Sequence, residues 1–326
     1  MPHDALDAGP GKLAPEKARK ITSRVTSLSV GVALTLVAAK TVAWALSGSV
    51  AMLATLADSA LDLAASLTTF FAVRYAASPA DAEHRYGHGK AEAFASLLQA
   101  LLVALSAGLL MREAYHRFVE PHPIEAGGIA LSVMGLSILL TVGLVWAQTR
   151  ALKQTESLAV TGDRAHYAAD LAANGVVIVG LVMVTMFGIE RADPVAGFAV
   201  SVWLFWTAWE VGSKAFENLM DRELPDADRE RILQIAGDDP RVLGVHQLRT
   251  RASGPFIHIQ LHMDLDPHQS LRDAHKTVVA AERRLMAAYP AADILIHPDP
   301  KGFAEPHGNV YFSSEASGAK VDGDVK

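Results

Sequence analysis

The sequence predicts two joined fold classes: an α-helical membrane domain of six transmembrane helices, then a cytoplasmic α+β domain. Three observations carry this expectation. Of 326 residues, 51% are apolar, and the mean hydropathy is +0.22, high for a soluble chain. Long apolar segments dominate from Val25 to about Gly212, whereas from Asp221 the text turns to short strands and charged helices. Two pairs of metal-binding residue types fall four positions apart inside otherwise apolar stretches.

A spanning helix needs about 20 mostly apolar residues, and six segments approach that: 23–46, 50–76, 90–117, 124–150, 160–188 and 192–214. Residues 1–20 form a polar tail carrying Lys12, Lys17, Arg19 and Lys20, and the run after it lacks a cleavage site, so it reads as a retained helix. The membrane domain is expected over 21–214 and a linker over 215–225. Gly31, Gly108, Gly143, Gly175 and Gly180 read as small residues that let helices pack closely.

Basic residues collect on the cytoplasmic side of a membrane. They lie in the amino-terminal tail, at the 2–3 connection (Arg74, Arg85, Lys90) and at the 4–5 connection (Arg150, Lys153, Arg164). The opposite connections, 47–49, 120–123 and 190–193, carry fewer net positives. Both termini are therefore expected in the cytoplasm, in a multi-pass protein.

The cytoplasmic domain, 226–302, reads as helix 226–237, strand 242–251, strand 255–264, helix 270–289 and strand 292–297. Ile257, Ile259, Leu261 and Met263 alternate with Phe256, His258, Gln260 and His262, as a half-buried strand requires. The α-β-β-α-β order predicts a small sheet covered by two helices, ferredoxin-like or metallochaperone-like. The tail 303–326, rich in Gly, Ser and charge, predicts disorder.

Two pairs of metal-binding residue types interrupt the second and fifth apolar segments: Asp58 with Asp62, and His166 with Asp170. An i, i+4 spacing puts each pair on one helix face. Each ionisable group costs about 2.5–3.5 kcal/mol to insert and persists where it pairs, binds an ion or lines a pathway. A divalent-cation site and a structural polar pairing both satisfy that rule. Asn174 continues the same face one turn beyond Asp170. Cysteine is absent, so disulfides and thiolate sites are excluded, and imidazole and carboxylate are left as strong ligands. In the 2–3 connection Asp81, His84 and His88 can converge if the chain turns at Gly87 and Gly89. The cytoplasmic domain carries His246, His258, His262, His275, His297 and Asp299, of which His297 and Asp299 can share a metal.

The net charge of -6 lacks the basic footprint of a nucleic-acid binder. There is no His-Glu-x-x-His, Gly-x-Ser-x-Gly or phosphate-cradling loop, so no catalytic residue is assigned. An intramembrane metallohydrolase and a membrane-anchored metal sensor are the competing classes; the first needs an open metal position and a base.

The chain resembles the cation diffusion facilitator family, in its bacterial zinc and ferrous-iron efflux branch, over roughly residues 21–302. The resemblance is carried by Leu56-Ala57-Asp58-Ser59-Ala60-Leu61-Asp62, Arg85-Tyr86-Gly87-His88-Gly89-Lys90-Ala91-Glu92, His166-Tyr167-Ala168-Ala169-Asp170, Leu219-Met220-Asp221-Arg222-Glu223-Leu224-Pro225 and His246-Gln247-Leu248-Arg249-Thr250-Arg251. It implies a homodimeric antiporter of the bacterial inner membrane that exports Zn²⁺ or Fe²⁺, or else Mn²⁺, Co²⁺ or Cd²⁺, in exchange for protons. It implies Asp58, Asp62, His166 and Asp170 as the transport site, Asp81, His84 and His88 as a loop site, and a charge interlock of Lys90 with Asp221. It also implies a regulatory metal site at the dimer interface, on His246, His275, His297 and Asp299. There the sequence departs: a usual His position aligns with Gln260, so that His258 or His262 enters as an alternative ligand.

Overall fold

The computed structural model describes residue 9 and residues 11–48, 50–120, 128–187 and 192–303. The tail 304–326, the start of the amino-terminal tail and residues 121–127 and 188–191 of the connections lie outside the described residues. The chain forms two compact units, Met1–Met220 with Ser253–Pro255, and Asp221–Ala252 with Phe256–Lys326.

The first unit is built from α1 (Pro15–Ser47), α2 (Val50–Ala76), α3 (Ala91–Val119), α4 (Gly128–Thr155), α5 (Leu158–Phe187) and α6 (Ala192–Leu219). Among the described residues, α1, α2, α3, α4 and α6 are long and apolar enough to cross a membrane. Helix α1 starts earlier than its apolar run, at Pro15, because Glu16, Lys17, Arg19 and Lys20 are good helix formers behind a proline suited to a first turn. Helix α6 likewise runs through the start of the expected linker to Leu219. Nothing in Ala215–Leu219 breaks a helix, and the chain turns only where Asp221 takes a left-handed φ of 57°.

Small side chains set the spacing of these helices, but not at the expected glycines. A Cβ on Gly31, Gly143 or Gly175 would meet nothing within 4 Å, one on Gly108 would meet only Phe205 at 3.8 Å, and Gly180 lies outside the described surroundings. The close approaches are at Gly162, where a Cβ would lie 2.9 Å from Cβ of Gln99, and at Gly197, 3.2 Å from Cβ of Ala114. Ala100, Val103, Ala107, Ala165, Ala169, Leu204 and Ala208 fill the core between α3, α5 and α6. The first N–H groups of α5 are satisfied from α3: the Glu92 carboxylate accepts from Ser157 Oγ at 2.5 Å and from the backbone N–H groups of Leu158 and Ala159.

The second unit contains α7 (Asp226–Gly237), β1 (Gly244–Ser253), β2 (Phe256–Leu265), α8 (Leu271–Ala288) and β3 (Ala292–Pro300), in the expected order. The sheet order is β1-β2-β3, with β2 and β3 parallel. Ile257, Ile259, Leu261 and Met263 of β2 are fully buried against Ile232 and Ala236 of α7 and Val278, Ala281 and Leu285 of α8. Ser270 caps α8 by accepting from the N–H of Asp273. The other face of β2 is left to His258, Gln260, His262 and Asp264.

Candidate metal sites

Among the described residues, three groups of imidazole and carboxylate side chains converge closely enough to hold an ion: Asp62, His166 and Asp170; Asp81, His84 and His88; and His246, His262 and Asp299. Ligands about 2.1 Å from a tetrahedral Zn²⁺ lie about 3.4 Å from one another. That separation is the yardstick for each group.

In the first, α2 presents Asp62 and α5 presents His166 and Asp170. His166 Nε2 lies 3.1 Å from Asp62 Oδ1 and 3.9 Å from Asp170 Oδ2, bracketing the yardstick. The other ring nitrogen, Nδ1, is buried and has no partner among the described residues, whereas Nε2 is the atom turned to both carboxylates. Asp58, one turn earlier on α2, is exposed and stands outside this triad. The structure thus brings together three of the four groups expected from the helical spacing. Two charged neighbours escaped that reading. Lys40 of α1 donates to Ser59 Oγ at 2.6 Å and to the Thr55 carbonyl at 3.2 Å, and its charge acts on both Asp58 and Asp170. Asp163, one turn before His166, is fully buried. Each is a charge within an otherwise apolar run, and the insertion cost alone would have flagged both.

The second group is made by the turn before α3. Asp81 Oδ1 accepts from the N–H groups of Glu83 at 2.9 Å and His84 at 2.6 Å, and Gly87 takes a φ of 78° that returns His88 to the carboxylate. Nδ1 of His84 is then 3.3 Å from Oδ1, and Nε2 of His88 is 3.2 Å from Oδ2. The His84 backbone donor, helped by Glu83 N–H and the His84 ring, holds the Asp81 carboxyl below the usual carboxylate range. His88 packs its ring against Tyr75, 4.4 Å between centroids.

The third group depends on strand register. Pairing of β2 with β3 sets His262 beside His297 and Asp264 beside Asp299. Asp299, buried, is then shared: His262 Nδ1 at 2.8 Å and His246 Nε2 at 3.5 Å approach Oδ2, and His297 Nε2 at 3.3 Å approaches Oδ1. His246 also lies 3.3 Å from Asp264, which Lys301 reaches at 3.0 Å. The imidazole that joins the group from β2 is therefore His262. Gln260 is exposed, and His258 pairs separately with Asp293 at 3.1 Å. His275 is exposed on α8, apart from this cluster. Of the expected interlock residues, Lys90 donates to the Leu219 carbonyl at 3.0 Å, and Asp221 pairs with Arg251 at 3.2 Å.

Comparison with known proteins bears on both units. A family model described as "Cation efflux transmembrane domain" matches residues 27–220, and one described as "Cation efflux protein, cytoplasmic domain" matches residues 224–301. The chain is similar to proteins named cation-efflux pump FieF. That of Shewanella oneidensis is 42% identical over 281 residues, 86% of this chain and 94% of the relative. Those of Yersinia enterocolitica and Serratia proteamaculans are each 38% identical, over 88% of this chain and 95% of theirs.

Proposed function

Because the chain belongs to the cation diffusion facilitator family, we propose that it exports a divalent transition-metal cation, Zn²⁺ foremost and Fe²⁺ next, by exchange with protons. Its relatives are named for cation efflux, which makes this chain a metal-cation transporter rather than an enzyme. The observation that carries the reading is the meeting of Asp62, His166 and Asp170 between α2 and α5 at ligand separation. Asp58 supplies the fourth ligand by a change of rotamer, since it shares the α2 face with Asp62. A site of carboxylate and imidazole suits Zn²⁺ and accepts Fe²⁺, Mn²⁺, Co²⁺ or Cd²⁺ by the same donors.

Exchange with protons follows from ligand chemistry. Carboxylate and imidazole bind metal only when deprotonated, so metal entry expels protons and proton entry expels metal. A site that opens to one face at a time then carries the two ions in opposite directions without covalent chemistry. The protein works as a homodimer in the bacterial inner membrane with both termini cytoplasmic. Asp81, His84 and His88 collect metal at the cytoplasmic mouth. His246, His262, His297 and Asp299 bind a regulatory ion, with His275 presented outward to the partner protomer.

The test is metal uptake into inverted vesicles under an imposed proton gradient, across Zn²⁺, Fe²⁺, Mn²⁺, Co²⁺ and Cd²⁺. Zn²⁺ uptake is expected in the wild type and is expected to vanish in Asp62→Ala and Asp170→Ala while the dimer stays folded. Undiminished uptake in both variants would remove the triad from the mechanism.

A further inference from the structure

One buried group has no part in the mechanism above. Asp163 of α5 is fully buried, and its carboxylate is held by neutral donors from neighbouring helices. Gln148 of α4 donates to Oδ2 at 2.8 Å; Gln99 of α3 and Ser66 of α2 reach Oδ1 at 3.4 Å. The same side chains go on to bind each other's helices. Gln99 donates to Thr69 Oγ1 at 2.9 Å and to the Ala65 carbonyl at 3.1 Å, Gln148 donates to Ser29 of α1 at 3.2 Å, and Tyr167 lies 2.8 Å from Ser66 Oγ. Five helices, α1 to α5, thus meet at one carboxylate. Gly162 makes the meeting possible, because any Cβ there would press on Gln99 and Ser96 and drive α3 away from α5.

The position of this knot relative to the metal triad gives it meaning. Side-chain exposure is 32% at Asp170 and 20% at Asp62, falls to 7% at His166, and reaches zero for Asp163, Ser66 and Thr69. The decline runs along α5 and α2 toward the 2–3 and 4–5 connections. The triad is therefore partly exposed, and the packing beyond it is closed on the side of those connections. Beyond the knot, Val73 of α2 is packed against Ala95 and Ala159, which continues the closure.

We propose that Asp163 is a positioning residue of the transport path: with Gln148, Gln99 and Ser66 it forms a polar lock that holds α1 to α5 closed on the side of the 2–3 and 4–5 connections, and that must separate for metal to enter from there. This rests on the transport reading of the preceding section. The lock is uncharged apart from Asp163 and closes through hydrogen bonds to amides and hydroxyls, each of modest net strength. Such a lock can open repeatedly, because each bond broken costs little net free energy. The carbonyl oxygens of Gln99 and Gln148 have no donor among the described residues, so an asparagine amide at 163 finds acceptors in place.

The chain has no cysteine, so a single Val73→Cys serves as a reporter in the full-length protein reconstituted in liposomes. The measurement is its rate of modification by a charged, membrane-impermeant thiol reagent supplied on the side of the 2–3 connection. Slow modification is expected with Asp163 intact. Loss of one or two hydrogen bonds in Asp163→Ala should raise the rate about tenfold, and Asp163→Asn should restore it to within about threefold of the starting rate. A general loosening of the fold would not be reversed by asparagine. If Asp163→Ala fails to assemble, Gln148→Ala supplies the same comparison. Fast modification at the outset, or equal rates in all variants, would overturn the lock. Zn²⁺ transport by the unaltered chain is measured in the same liposomes: its absence would sink the transport reading, whereas transport with invariant labelling would sink the lock alone.

Discussion

The membrane triad and the cytoplasmic cluster use the same two ligand types at the same separations, yet they are assembled by different geometry. In the membrane, Asp62, His166 and Asp170 come from two helices, and their convergence depends on the angle at which each side chain leaves its helix. In the cytoplasmic domain, His246, His262, His297 and Asp299 come from three strands of one sheet, and their convergence depends on which residue stands beside which. A helix encodes its ligand face in local spacing, whereas a sheet encodes it in register, a non-local property.

The comparison breaks first at the helix. Exchanging neighbours, as Asp170→Leu with Leu171→Asp, keeps composition and charge but turns the carboxylate by about 100° around α5. Zn²⁺ uptake into vesicles is expected to fall to background, as completely as in Asp170→Ala. Retained uptake would mean that a carboxylate anywhere near His166 suffices and that helical phase carries no information.

Legibility from sequence follows the same division. The His166–Asp170 spacing and the alternation of β2 are local patterns, and in the structure each keeps its residues on one face of its element. What stayed hidden needed the pairing of distant segments. Nothing local tells that β2 and β3 pair in parallel with His262 beside His297, so Gln260 and His262 look equally available in the sequence. Nor can spacing tell which glycine faces a neighbour: Gly162 and Gly197 are pressed on by α3, while Gly31, Gly143 and Gly175 face open space. Asp58 has the right spacing but an exposed side chain, because helical phase fixes direction and not depth.

The sheet offers a second, smaller break. Gln260→His with His262→Gln moves an imidazole two residues along the same face of β2, a displacement of about 7 Å away from Asp299. Zn²⁺ affinity of the cytoplasmic site, measured by calorimetry on the full-length protein with Asp62 and Asp170 both replaced by alanine, should weaken by about 10–100-fold. Transport at saturating metal, in the exchange variant with Asp62 and Asp170 intact, should persist. Unchanged affinity would show that register is not what selects His262.

The loop cluster belongs to neither geometry, since a turn rather than a helix or a sheet brings its ligands together. Asparagine at 81 still offers a side-chain oxygen to the N–H groups of Glu83 and His84, so the turn should keep its shape while the charge is lost. Because the folded-state carboxyl titrates below the usual range, any stability it contributes is present above the unfolded value of about 3.9 and is lost only as pH falls through the lower, folded one. Asp81 therefore stays ionised from pH 8 to pH 5. Asp81→Asn should weaken Zn²⁺ binding at the loop by about tenfold, and by the same factor at both ends of that window, with transport at saturating metal little changed. Equilibrium Zn²⁺ titration at the two pH values checks this. A factor that shrinks toward pH 5 would show the carboxylate picking up protons there, and the turn donors would then not be what holds it ionised.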